Sequence, residues 1–453
     1  MTTSAERRRR GRAARDRVSR SAHGRWIPAA DRPDPIVVLE QQAVDRVPEL
    51  LPIRYGRMAD SAFAFLRGSA AVMAADLAAG PDTGITVQLC GDAHLLNFGV
   101  YASPERALLF DLNDFDETYP GPFEWDVKRL AASVAVAARD NGHDEERVRR
   151  AALAAVQGYV SAMRRLAAMG ELDVWYARID SEDLLPLVRK PKHRKQVEAG
   201  LAHARRRTSL QAFGKLTEET EDGRRRIISE PPLIEPLPRN ELRRVGKIFS
   251  DYRATLAEDR GVLLDRFHFV DVASKVVGVG SVGTRCFIIL LEGRDTEDPL
   301  FLQIKEAGRS VLEEHLPTTR PHAEAPIAHG GQRVVTGQRL MQAASDIFLG
   351  WTTGPAGRHF YGRQLRDMKG SADVADMTPS ALRAYADLCG RALARAHARS
   401  GDRLAIAGYL GTADTFPEAI ADFAGHYADQ TEVDHAELLA AIADGRVAAR
   451  REI

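Results

Sequence analysis

The sequence predicts an α+β chain of two lobes, one mainly helical and one small, β-rich and inserted within it. Three observations carry this expectation. Apolar residues recur at helical spacing over 37–79 and 124–169, and again beyond Pro379. Short β-branched runs crowd between Phe267 and Ile304, on either side of a glycine cluster. At 453 residues the chain is too long for one ordinary core, so two packed lobes of unequal size are expected.

Composition bounds the class of protein. Hydrophobic residues make up 44% and charged residues 28%, an ordinary globular balance. Lysine plus arginine equals aspartate plus glutamate at 63 each, so no global charge draws the chain to nucleic acid or a membrane. Cys90, Cys286 and Cys389 are too few and too scattered for a disulfide framework or a zinc site, which favours a reducing cytoplasm. The amino terminus carries Arg7 to Arg10 without the apolar stretch of a secretory signal, and no apolar run approaches the roughly 18–20 residues that span a bilayer.

Four segments follow in order. Residues 1–35 are arginine-rich and read as a mobile arm or exposed helix. Residues 36–240 form the first part of the helical lobe, with two short strands at 85–89 and 107–112 framing a loop. Within it, 189–207 concentrate basic residues on what reads as a solvated helix face, and Pro231, Pro232, Pro236 and Pro238 then prevent a continuous helix. Residues 241–370 form the β-rich lobe, with a helix at 327–344 and strands at 347–352 and 359–365. Residues 371–453 return to helix, including a helix from Leu382 stopped by Gly401.

The chemistry concentrates in Gly91-Asp92-Ala93-His94-Leu95-Leu96-Asn97 and in Asp111-Leu112-Asn113-Asp114-Phe115-Asp116. An aspartate, an asparagine five residues on and a further aspartate at the end of a nearby strand is the spacing of a kinase catalytic loop and its metal-binding strand. One carboxylate then accepts the proton of the attacking hydroxyl, while an amide oxygen and a second carboxylate hold magnesium against nucleotide phosphates. The plainer alternative is a tight turn in which Asp92 and Asn97 cap local backbone.

A second motif supports the first reading. Gly278-Val279-Gly280-Ser281-Val282-Gly283 is a Gly-x-Gly-x-x-Gly loop, and Lys305 follows at the end of a strand-like run. A dinucleotide fingerprint would need a helix after the third glycine, whereas 285–291 is strand-like. Loop N–H groups covering phosphates and a strand lysine neutralising them fit the small lobe of a kinase. The order is reversed, however, because the catalytic loop precedes the glycine loop. Circular permutation reconciles them, and it requires the helix that leads into the catalytic loop to lie after the small lobe, where 382–399 stands.

On these residues the chain resembles aminoglycoside phosphotransferase-like kinases, in their Gly-Asp-x-His-x-x-Asn loop, the aspartate of Phe110-Asp111 and the Leu-Ala-x-x-His ending of the helix at His397. From Arg54 to about Asp434 it also resembles an uncharacterised bacterial family known as a domain of unknown function, marked by Gly91 to Gly99, Asp111 to Glu117, Gln338 to Gln342 and Arg363 to Asp367. The resemblance implies a bilobal protein kinase-like fold, circularly permuted. It implies Asp92 as catalytic base and Lys305 as the phosphate-pairing lysine. Gly278, Gly280, Ser281 and Gly283 would hold ATP, and Asn97 and Asp111 magnesium, with Asp114 and Asp116 as rivals to Asp111. Asp126 would anchor the catalytic loop from the next helix or simply cap it.

Glu313, Glu314, Glu324, Gln332 and Gln338 are the options for the partner of Lys305. The expected activity is ATP- and magnesium-dependent phosphoryl transfer to a hydroxyl of an unidentified, small-molecule acceptor. A nucleotide-binding pseudokinase, a kinase-fold nucleotidyltransferase and a metal-dependent hydrolase built on Asp92, Asp111, Asp114 and Asp116 are the alternatives. Arg54, Arg57 and Arg67 could reach a phosphate, though pairing with surface carboxylates is the commoner fate of such residues.

Overall fold

A computed structural model describes residues 2–187, 191–221, 223, 225–237, 239–317, 327–365 and 368–450. Arg189 of the basic run, Pro238, Glu324, and Arg366 and Asp367 of the family motif lie outside these residues.

Of the two readings of the amino-terminal segment, a mobile arm or an exposed helix, the structure shows a helix exposed over most of its length. Helix α1 (Ser4–Arg17) starts in a capping box formed by Thr3 and Glu6. Its arginines are used structurally: Arg7 pairs with Asp402 at 2.9 Å, and Arg15 donates to the Tyr409 and Gly408 carbonyls at 2.8 and 2.6 Å. Guanidinium groups at the end of another helix satisfy its last carbonyls and its dipole together.

Helices α2 (Pro35–Ala43), α3 (Leu51–Met58), α4 (Ala62–Gly68) and α5 (Ala70–Ala78) lead to strand β1 (Thr86–Leu89). The hairpin of β2 (Phe98–Ala102) and β3 (Leu108–Leu112) follows, then β4 (Tyr119–Pro122), which pairs antiparallel with β1. Helix α6 (Phe123–Asp140) is buried along nearly its whole length and forms the axis of the large lobe, with α7 (Glu145–Leu166) against it. A buried aromatic group of Phe123, Tyr159, Tyr409 and Phe416 joins these helices to the carboxyl-terminal ones.

Helices α8 (Glu171–Tyr176) and α9 (Pro191–Arg206) close this half. Next come α10 (Ser209–Leu216), the small hairpin β5 (Thr217–Glu219) and β6 (Arg225–Ile227), β7 (Ile234–Pro236), α11 (Arg239–Arg253) and α12 (Glu258–Leu264). Strands β8 (His268–Lys275), β9 (Cys286–Glu292) and β10 (Pro299–Glu306), helix α13 (Gly330–Met341), and strands β11 (Gly350–Thr353) and β12 (His359–Gln364) complete the small lobe. Its six strands form one antiparallel sheet in the order β11-β12-β10-β9-β8-β7.

The two faces of that sheet explain where the lobe begins. Ile289 and Leu291 of β9 pack with Tyr252, Leu256 and Leu264 of α11, α12 and the turn between them, while Ile288 and Leu290 face Ala212 and Leu216 of α10. Successive strand residues point to opposite sides, so both faces need a cover. The boundary expected near 240 therefore moves back to the start of α10, because 209–236 supply one cover and the edge strand.

Helix α14 (Pro379–Ser400) packs on α7, followed by α15 (Arg403–Leu410) and α16 (Thr415–Ala443). The end of α14 meets β1 although they lie 312 residues apart: the Gln88 N–H donates to Ser400 Oγ at 3.3 Å. A side chain at Gly401 would collide with Val87. Among the described residues no helix is long and apolar enough to cross a membrane.

Candidate functional site

The loop 90–97 is fixed from beneath by α6 and α14. Asp126, on the first turn of α6, accepts the Cys90 and Gly91 N–H groups at 2.7 and 3.0 Å. His397 touches the same carboxylate through Nε2 at 3.1 Å, and its Nδ1 lies 2.9 Å from the Tyr159 hydroxyl. This fits a ring that donates from Nε2 and accepts at Nδ1, an arrangement that sets the tautomer. Gly91 adopts φ +85°, and a Cβ there would strike the Glu117 backbone, so only glycine lets the loop pass at this point. Asp126 thus acts as the expected anchor and not as a plain helix cap.

Asp92 sits at the cleft floor with 19% of its side chain exposed, and Arg129 of α6 donates to its Oδ1 at 2.9 Å. His94, at 3.7 Å from Asp92, is pushed down to about 4 by burial and stays neutral; its Nδ1 accepts the Leu96 N–H. The Asn97 Nδ2 donates to the Asp92 carbonyl at 2.6 Å, which leaves Oδ1 as the atom able to meet a cation.

The acidic cluster divides in a way that corrects one expectation. Asp111, expected to hold metal, is fully buried, and its two oxygens receive Arg395 of α14 at 2.6 and 2.7 Å and the Ala343 N–H at 2.9 Å. Asp114 takes the position facing the cleft. Burial works against its charge, but Lys305, Arg363 and Lys369 outweigh it and hold the carboxyl well below the usual range. Lys305 lies 3.7 Å from Asp114 and bonds directly to Asp116, which also accepts the Tyr361 hydroxyl at 2.7 Å. Burial opposes the lysine's charge, and the two aspartates restore and exceed it. The partner of Lys305 is thus Asp116, and Glu313 instead faces Arg333 at 3.6 Å.

The glycine loop joins β8 to β9, with positive φ at Gly278 and Gly283. The amino-terminal helices fasten it: Arg57 donates to the Gly278 carbonyl at 2.6 Å, Arg46 to that of Val282 at 2.5 Å, and the Val47 N–H to that of Gly283 at 2.8 Å. A cleft of about 610 Å³ opens between this loop and the loop 90–97, lined by Asp92, Asn97, Asp114, Gly278, Gly280 and Ser281 among others. Gly283 packs on Arg46 at the rear of the loop, and Lys305 reaches the cleft through Asp114 and Asp116.

Three residues outside the sequence expectation also belong here: Arg46, Tyr361 and Glu117. Glu117 lines the cleft, accepts the Val311 N–H at 2.8 Å, and is pushed up to about 7 by burial. A carboxyl whose pKa rises on folding contributes stability that is complete below its ordinary value near 4.5 and fades as pH climbs to about 7. Glu117→Gln is therefore expected to flatten the decline in urea stability between pH 4.5 and 7, with the largest gain over wild type, about 1–3 kcal/mol, above pH 7. A parallel pair of pH profiles would refute this assignment.

Among the described residues no group of three or more His, Cys, Asp or Glu side chains is arranged to hold a metal ion. No curated protein and no solved structure matches the chain. Residues 46–441 match one protein family, so the chain belongs to the bacterial family described as "Uncharacterized protein conserved in bacteria (DUF2252)".

Proposed function

We propose that the chain is an ATP- and magnesium-dependent phosphotransferase with a circularly permuted kinase-like fold. The observation that carries this reading is the meeting of Asp92, Asn97 and Asp114 with the glycine loop around one cleft, with Lys305, almost 200 residues further on, bonded to its acids. The small lobe supports it: the glycine loop joins two adjacent strands, the lysine stands on the next, and a helix follows. The junction of α14 with β1 supports the permutation.

In this reading Asp92 accepts the proton of the acceptor hydroxyl as its oxygen bonds to the γ-phosphorus and the bridge to ADP breaks. The glycine loop and Lys305 neutralise the phosphates. Asn97 Oδ1 and the ionised Asp114 offer the hard oxygen ligands that magnesium prefers, and two protein ligands suffice because phosphates and water supply the rest. Magnesium, when bound, offsets the charge of the transferred group. A pseudokinase is the second reading, favoured by two contacts: Arg129 already occupies Asp92, and Asp116 occupies Lys305.

Calorimetry tests the shared nucleotide site. Wild type is expected to bind magnesium-ATP, and Lys305→Ala and Asp114→Asn each to weaken it tenfold or more. Absence of nucleotide binding, or indifference to both substitutions, would sink the proposal, and binding without turnover over any acceptor would favour the pseudokinase.

A further inference from the structure

In and behind the part of the cleft wall that meets the glycine loop stand three arginines without a charge partner in the loop or the acidic cluster. Arg54 of α3 is fully buried; its Nη2 donates to Gln42 Oε1 at 3.2 Å and to the Gly68 carbonyl at 3.0 Å, both on residues that line the cleft. Its Nε and Nη1 have no hydrogen-bond partner, with the Tyr55 ring alongside. Arg67 of α4 lines the cleft, half-buried, and its Nε is likewise unpartnered. Arg46 completes the group with one bond, to the Val282 carbonyl.

Among the described residues none of the three has a carboxylate within ion-pair distance, so the pairing with surface acids expected of Arg54 and Arg67 does not occur. The contrast within the same chain is plain: Arg32 is gripped by Asp76 and Asp434 at 2.7 and 2.6 Å. Two of the cleft acids are already taken, Asp92 by Arg129 and Asp116 by Lys305. Burial first, and the Arg46 guanidinium second, push Arg54 down to about 9. Unpaired guanidinium donors held in a low-dielectric wall are costly, and an oxyanion is the ligand that satisfies them, through several charge-assisted bonds at once.

We propose that Arg46 and Arg67, backed by the buried charge of Arg54, form an oxyanion subsite that holds a phosphate or carboxylate group of the acceptor. The subsite adjoins Asp92, so it would place a hydroxyl of an anionic alcohol, such as a phosphorylated or acidic polyol, at the catalytic loop. The word acceptor rests on the phosphotransferase reading; the anion site itself does not. The same chemistry could instead serve the γ-phosphate of the nucleotide, and the experiment separates the two.

Inorganic phosphate is titrated by calorimetry into the full chain, alone and with the nucleotide site saturated by magnesium and a non-hydrolysable ATP analogue. Phosphate is expected to bind in both cases. Arg67→Gln and Arg67→Ala should each weaken phosphate tenfold or more while changing analogue affinity less than threefold, and Lys305→Ala should show the opposite pattern. Circular dichroism identifies any variant that fails to fold, and the remaining one then decides. Failure of phosphate to bind wild type overturns the subsite. So does its displacement by the analogue, or an Arg67→Gln loss of analogue affinity equal to that of Lys305→Ala, since either assigns the arginines to the γ-phosphate. If the analogue does not bind but phosphate does, with the same dependence on arginine, the subsite stands and the phosphotransferase reading alone falls.

Discussion

Arg395→Met is expected to destabilise the protein by about 3–5 kcal/mol, because it strands a buried carboxylate. Asp111 is wholly enclosed, and the Arg395 guanidinium is its charge partner across α14 and β3. Methionine matches the length of the arginine stem but returns no charge, so Asp111 must either take up a proton or draw in water. Urea unfolding measures the loss as a lower midpoint with an unchanged slope. The double variant Asp111→Leu with Arg395→Met separates pairing from packing, since apolar replacement of both partners of a buried pair is often nearly neutral. A double variant as unstable as Arg395→Met alone would mean that α14 needs the arginine for its bond to the Met341 carbonyl.

Asp92→Asn is expected to lower phosphoryl transfer, to an acceptor or slowly to water, by about 10²–10⁴-fold while leaving magnesium-ATP affinity within a few-fold. The amide keeps an oxygen for the Arg129 Nε–H, so the floor of the cleft retains its geometry, but it cannot take a proton from a hydroxyl. Transfer of label from the γ-position of ATP reads the rate, and calorimetry reads the affinity. A variant with undiminished rate would remove Asp92 from the role of base. One that loses nucleotide affinity as strongly as rate would place Asp92 among the binding groups.

Much of this arrangement was legible in the sequence. The glycine loop, Lys305 on its strand and the run from Gly91 to Asn97 declare themselves by local spacing, and α13 and α14 by apolar period and by Pro379 and Gly401. What escaped depends on partners remote in the chain. Asp111 and Asp114 look alike in a line of letters, and only Arg395, 284 residues away, decides that the first is structural. The options for the partner of Lys305, Glu313, Glu314, Glu324, Gln332 and Gln338, all follow it in the chain, yet the lysine turns to Asp116, 189 residues before it. Arg15 and Arg20 resemble a solvated tail because their acceptors are backbone carbonyls of α15, which leave no mark in side-chain composition. The lobe boundary was missed because α10 is short and its apolar residues gain meaning only against the sheet.

The joining of α14 to the loop half of the large lobe also governs the order in which the protein can mature. Asp111 and Asp126 leave the ribosome long before Arg395 and His397, which lie 284 and 271 residues downstream. At ordinary translation speeds that interval is on the order of 15–60 s. Throughout it the loop half has its two buried acids without their cationic and imidazole partners, so it cannot reach its final packing while the chain is still growing. The small lobe, whose sheet closes within residues 209–365, has no such dependence and can settle first. Maturation therefore runs from the middle of the chain outward, and the cleft is assembled last, when α14 arrives.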